Sequence, residues 1–261
     1  MPTAMLQAHS WLWNYLWVAP NILLLVLAAA LRRRGLHRVY PAFFVFAVVG
    51  AVAELISYGA DIASNVTANV WWHVFWAVLL VEALLKFTVL AEVFQQTYHS
   101  YPAIARLGRN LIRGTGIFLV FLAALVDTFA AHDSQLGIIR GAHLIQQSSY
   151  LVETGILVFI LAFSRYFRVP MLRASFGIAL GLAISATVHL ANAALVANAG
   201  LPNETRYRLE FVSMGTYHFV VLLWAYYLLV PQRRPSVPAI TLPDNDTLSS
   251  WNRELERLLH Q

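Results

Sequence analysis

Apolar residues dominate seven stretches of this chain, each near the roughly 20 residues that a helix needs to cross a bilayer. The stretches cover residues 11–31, 40–62, 71–98, 111–131, 143–163, 174–197 and 211–230. Pro41 suits the first turn of the second helix, and Pro231 stops the seventh. Pro20 falls inside the first, where a membrane helix accepts proline if neighbours satisfy the freed carbonyl. The pattern predicts an all-α fold, a polytopic membrane protein whose seven transmembrane helices form a bundle over residues 1–232.

Past Val230 the pattern changes. The run PQRRPSVPAITLPD holds four prolines and reads as a linker. Asp246 or Thr247 is placed to cap a last helix in which Leu248, Trp251, Leu255, Leu258 and Leu259 form one apolar stripe. Residues 233–261 are therefore expected to form a cytoplasmic Pro-rich linker and a short amphipathic tail helix. Glu254 and Glu256 offset Arg253 and Arg257, which separates this helix from the basic type that binds anionic lipid. Docking on its own bundle, resting at the interface, and joining a cytoplasmic partner or a second copy through 245–260 are all open to it.

The polar residues within the apolar stretches recur at helical spacing. Glu54, Tyr58 and Asp61 follow each other by four and three; so do Ser185, His189 and Asn192. His143, Gln146, Tyr150 and Glu153 follow by three, four and three, and Tyr217 and His218 continue a stripe that begins at Glu210 and Ser213. Each stripe lies on one helix face and stops near mid-helix. The third stretch carries Glu82 and, four residues on, Lys86, which is the only lysine of the chain. That spacing puts both on one face with the acid on the favourable N-terminal side. Counted inward at about 1.5 Å per residue, Lys86, Glu153 and His218 fall near mid-bilayer, with Glu54, Glu82, Asp127 and His189 a little further out. Val158–Phe163 and Val220–Ala225 are wholly apolar by contrast, and Gly177, Gly181 and Ser185 form a small-residue series for close packing.

Composition agrees with the pattern: 59% of residues are hydrophobic and 12% charged, with a mean hydropathy of +0.62. Soluble domains carry about 25% charged residues. Absence of cysteine excludes disulfides and thiolate chemistry. The basic balance comes from arginines in the connections: Arg32, Arg33, Arg34, Arg38, Arg106, Arg109, Arg113, Arg165, Arg168, Arg173, Arg233 and Arg234 on one side, against Arg140, Arg206 and Arg208 on the other. That asymmetry reads as topology and not as nucleic-acid affinity; it puts the N-terminus outside and the C-terminus in the cytoplasm. Trp11, Trp13, Trp71, Trp72 and Trp76 then cluster at the outer ends, as interfacial aromatics do. No basic region precedes the first apolar run, so no cleaved signal peptide is expected.

Several chemistries lack their residues. The seventh stretch has no lysine for a retinal Schiff base, and no HxxxH of the kind seen in seven-helix hydrolases, since Leu222 stands four residues after His218. His189 and His218 are the sole candidates for bis-histidine haem ligation, without supporting residues around them. No phosphate loop or nucleophile elbow occurs. Neither cofactor, metal nor catalysis is expected. Seven spans, an outside N-terminus, acids and aromatics in the outer half and a short tail resemble the seven-transmembrane sensor regions of bacterial histidine kinases. The ending WNRELERLL is similar to that of uncharacterised bacterial seven-helix membrane proteins. That resemblance implies a multi-pass protein of the bacterial inner membrane.

The expected function is that of a receptor-like or sensory membrane protein. Its small ligand would enter from the outer side a polar cavity floored by Glu82 and Lys86, with Glu153 as counter-ion. His143, Gln146 and Tyr150 would form one wall, and Glu54, Tyr58, His189, Asn192, Tyr217 and His218 the rest. A charge in hydrocarbon costs a few kcal/mol or more unless paired, so it is a functional hypothesis by default. Neutral polar residues more often serve as interhelical hydrogen bonds worth about 0.6 kcal/mol each. The alternative is a proton-coupled transporter or channel relaying protons over Glu54, Glu82, Asp127 and Glu153.

Overall fold

Among the described residues of the computed structural model stand seven long α-helices: α1 (Trp11–Arg33), α2 (Pro41–Ile62), α3 (Ala68–Thr97), α4 (Pro102–Ala130), α5 (Ser134–Tyr166), α6 (Arg173–Ala199) and α7 (Asn203–Leu229). The residues described are 9–63, 65–130, 134–166, 169, 171–199, 203–230, 253 and 256–258; no strand occurs among them. By length and composition, α1, α2, α3, α5, α6 and α7 can cross a membrane. The first half of α4 carries Arg106, Arg109 and Arg113, which the apolar pattern had assigned mostly to a connection. Helices α5 and α7 likewise begin well before their apolar stretches, at Ser134 and Asn203. Hydropathy marks the part of a helix suited to hydrocarbon, whereas backbone hydrogen bonding continues into the polar flanks.

Local chemistry sets the helix ends. The Ser10 hydroxyl accepts from the Trp13 amide at 3.3 Å, and Thr67 accepts from Val70 at 3.4 Å, each satisfying one donor of an opening turn. Gly35, at φ 73°, takes the left-handed conformation that lets α1 reverse into a short 3-10 turn, Leu36–Arg38, before α2. Helix α1 runs unbroken through Pro20.

Consecutive helices pack against each other and α1 closes onto α7, while α3 also touches α5 and α6. Helix α3 thus packs against α2, α4, α5 and α6. The buried core lies towards the arginine-bearing end. Leu24, Leu27 and Leu31 of α1 pack there with Phe43 and Phe46 of α2, Leu90 and Phe94 of α3, Leu157 and Ile160 of α5, Ile178 and Leu182 of α6, and Val220 and Trp224 of α7. Trp224 meets Phe43 and Phe46 edge-on at 5.2 and 5.8 Å and donates its indole N–H to the Ile178 carbonyl at 3.3 Å. Gly177 and Gly181 permit this: a Cβ on Gly177 would strike Tyr227, and one on Gly181 would strike Trp224. Lipid offers no hydrophobic gain for burying one helix against another, so such close approach supplies much of the association energy.

Several polar groups of this half bond from one helix to another. Glu92 accepts the Ala42 and Phe43 amides at 2.8 and 3.0 Å, so a carboxylate of α3 caps the N-terminus of α2. With Pro41 at the first position, two orphan donors and the positive end of the helix dipole find one anion. The Tyr40 and Ser175 hydroxyls bond at 3.0 Å, those of Tyr98 and Ser164 at 3.2 Å. At the end of α7, Arg34 donates to the Leu229 carbonyl and Arg173 to that of Val230 at 3.4 Å.

Contacts divide the chain into two units, Met1–Val230 and Pro231–Gln261. In the second, Arg253 and residues 256–258 are helical. The expected Pro-rich linker and the remainder of the Leu248–Leu259 stripe lie outside the described residues.

Candidate functional site

The half of the bundle away from the arginine-bearing end encloses a cavity of about 260 Å³. It is framed by the first half of α1 (Leu16, Trp17, Asn21), the second half of α2 (Glu54, Ser57) and α3 from its start to just past its middle (Trp71, Phe75, Val78, Glu82, Lys86). Gln146 and Tyr150 of α5, Ser185 and His189 of α6, and Ser213, Met214 and Tyr217 of α7 complete the wall. Phe46, Leu182 and Trp224, members of the packed core, form its floor. The polar stripes of α2, α5, α6 and α7 run only as far as mid-helix, which brings them to one level with Glu82 and Lys86 of α3.

At the centre, the Lys86 ammonium lies 2.8 Å from the Glu82 carboxylate one helical turn before it. The lysine also sits 5.3 Å from the centroid of the Tyr150 ring, within cation–π range. Tyr150 in turn stacks on His189 at 4.9 Å and accepts a hydrogen bond from Gln146 at 3.3 Å. A single ring therefore links the cation to α5 and α6. Side-chain exposure is 10% for Lys86 and 29% for Glu82, so the acid is the more accessible member of the pair.

A smaller space of about 30 Å³ adjoins this centre, lined by Glu82, Lys86, Gln146, Ser149, Tyr150 and Glu153. It is about large enough for one water. Glu153 is 3% exposed and, among the described residues, makes no hydrogen bond and no ion pair. The role of direct counter-ion, expected for Glu153, falls to Glu82. Four-residue spacing along one helix brings the two groups together.

On the opposite wall, Glu54 accepts the Trp17 indole N–H at 3.2 Å. Asn21 donates to the Trp17 carbonyl at 2.7 Å and accepts from the Tyr217 hydroxyl at 3.3 Å, tying α1 to α7. Sequence reading missed Trp17 and Asn21. Asn21 is the lone amide deep in the first apolar stretch, a signal that carries no periodicity because it has no polar neighbour one turn away in the membrane interior.

Of the residues expected at the site, Glu54, Glu82, Lys86, Gln146, Tyr150, His189 and Tyr217 line the larger cavity, and Glu153 the smaller. Tyr58 packs its ring on Trp17 at 5.4 Å, behind the wall. Asn192 is held by the Leu209 carbonyl at 2.9 Å and the Ser213 hydroxyl at 2.6 Å, an interhelical bond between α6 and α7. His218 faces Tyr15 at 5.8 Å instead, since one step along a helix from Tyr217 turns it by about 100°. The side chains of His143 and Asp127 lie outside the described residues. Among the described residues, no group of His, Asp and Glu converges as a metal site would require. No protein-family model, curated protein or solved structure matches this chain.

Proposed function

We propose that the chain is a receptor-like or sensory integral membrane protein of seven spans, seated in a bacterial inner membrane with its arginine-bearing end in the cytoplasm. The cavity is then an outer-half site for a small ligand, and catalysis is no part of its role. The observation that supports this reading is the cavity itself, about 260 Å³ framed by six helices around a buried ion pair. Its size falls near the lower end of the roughly 300–1,000 Å³ typical of small-molecule sites, and its few polar groups are set among aromatic ones. A ligand signals only if it binds two packings of the bundle unequally. The Glu82–Lys86 pair supplies such a difference, because Glu153 offers the ammonium a second acid across the small space. The segment after Val230 would pass the change to a cytoplasmic partner or a second copy.

Mass spectrometry of small molecules released from the protein purified in lipid nanodiscs tests the ligand site. A compound carried by the parent and absent from Trp17→Ala and Tyr217→Ala preparations is the expected result. A parent that carries only bulk lipid, with hydrogen exchange in α3 unaffected by any metabolite pool, would sink the reading.

A second reading, a proton-coupled transporter or channel, draws support from Glu54, Glu82 and Glu153 lining adjoining spaces. It needs a wet path through the half closed by Trp224, Phe43 and Phe46. Proteoliposome uptake driven by a pH gradient and abolished by Glu153→Gln would favour it.

A further inference from the structure

The charges around the cavity are unequal in number and in how far each is already satisfied. Three carboxylates, Glu54, Glu82 and Glu153, line the two adjoining spaces against the single ammonium of Lys86. That ammonium is the best-satisfied group of the four: it has Glu82 at 2.8 Å and the Tyr150 ring beneath it, and its side chain is the less exposed of the pair. Glu153 is buried beside it without a hydrogen bond among the described residues, so the lysine already faces one acid more than it can balance. Glu54, on the far wall, has one neutral donor, the Trp17 indole. An anion entering this space meets carboxylates and finds the one cation occupied. A cation meets an acid whose one hydrogen bond among the described residues leaves lone pairs to spare.

The apolar lining fits the same sign. Trp17 carries its indole against Glu54 and its ring towards Tyr58, and Trp71 stacks on Phe75 at 5.4 Å along the cavity's upper edge. Rings beside a carboxylate in a low-dielectric wall attract organic ammonium groups through their electron-rich faces. We propose that the cavity takes an organic cation, a small ammonium compound with an apolar body, its charge set against Glu54 and its body against Trp17, Trp71 and Tyr217. This rests on the reading of the cavity as a ligand site and gives that ligand its sign.

Equilibrium binding to the protein in zwitterionic nanodiscs, corrected with empty discs, tests it with three probes of one shape: 2-phenylethylammonium, 2-phenylethanol and 3-phenylpropionate at neutral pH. The ammonium should bind saturably and at least tenfold more tightly than the alcohol, with the carboxylate weakest. Glu54→Gln should weaken the ammonium roughly 30-fold or more, the loss expected for removing a desolvated charge partner, while leaving the alcohol unchanged. Equal binding of ammonium and alcohol overturns the proposal. Preference for the carboxylate, lost in Lys86→Met, overturns the sign but leaves the ligand site standing. Absence of saturable binding for all three removes the ligand site as well. The order of the three probes is read on the parent protein, so the test holds even where Glu54→Gln fails to fold.

Discussion

The two halves of this bundle are made from the same seven helices, yet they solve different problems. Towards the arginine-bearing end, side chains such as Phe43, Leu90, Ile178 and Trp224 are almost wholly buried, and Tyr40, Tyr98 and Trp224 each hydrogen-bond across to another helix. In the other half six of these helices part around about 260 Å³ and leave Glu153 buried without a hydrogen bond among the described residues. Close packing supplies stability, and the open half draws on it to hold charge at membrane depth. Groups positioned for function commonly sit where local stability is least.

Substitutions on either side of this divide should differ in size and in kind. The largest loss is expected for Trp224→Ala, which removes the floor and its contacts with Phe43 and Phe46; about 3–5 kcal/mol is usual for a buried aromatic. Thermal unfolding in nanodiscs reads it, and a variant melting with the parent would dissolve the contrast between the halves. Lys86→Met comes next. Breaking a buried pair costs about 3–5 kcal/mol, less here because Glu82 is partly accessible, so about 2 kcal/mol is expected. Adding Glu82→Gln should recover most of that loss; a double variant as unstable as the sum of the singles would mean that the pair does not act as a unit.

Glu92→Gln sharpens the comparison from the packed side. It keeps one acceptor and removes the anion from the N-terminus of α2, at about 1 kcal/mol, and faster hydrogen exchange confined to the first turn of α2 is the signature. Tyr217→Phe is the smallest change. Losing its 3.3 Å bond to Asn21 should cost about 0.6 kcal/mol, and a drop as large as that of Trp224→Ala would show that the cavity wall, and not the floor, holds the bundle together.

Much of this was legible from residue order, for reasons specific to helices. Glu82 and Lys86 pair through spacing alone, and Gln146 and Tyr150 share a face by the same rule. Stripes that end mid-helix implied a polar half and a sealed half, and residues 158–163 and 220–225 marked the seal. What escaped depends on distance along the chain. Glu92 caps α2 through an amide 50 residues earlier, a partnership no local pattern contains. Tyr58 and Asp61 follow Glu54 on one stripe, yet Tyr58 packs behind Trp17 and Asp61 approaches His9 at 3.7 Å. Spacing assigns a face; the tilt of the neighbouring helix decides which part of that face reaches the cavity.

Helix α3 carries Glu82 and Glu92 ten residues apart, about 15 Å of a single rigid rod. Any slide or roll of that rod large enough to reseat the ammonium also drags the second acid from the amides it holds at the start of α2. A movement of α3 as a unit would therefore shift the upper pair and the lower cap together.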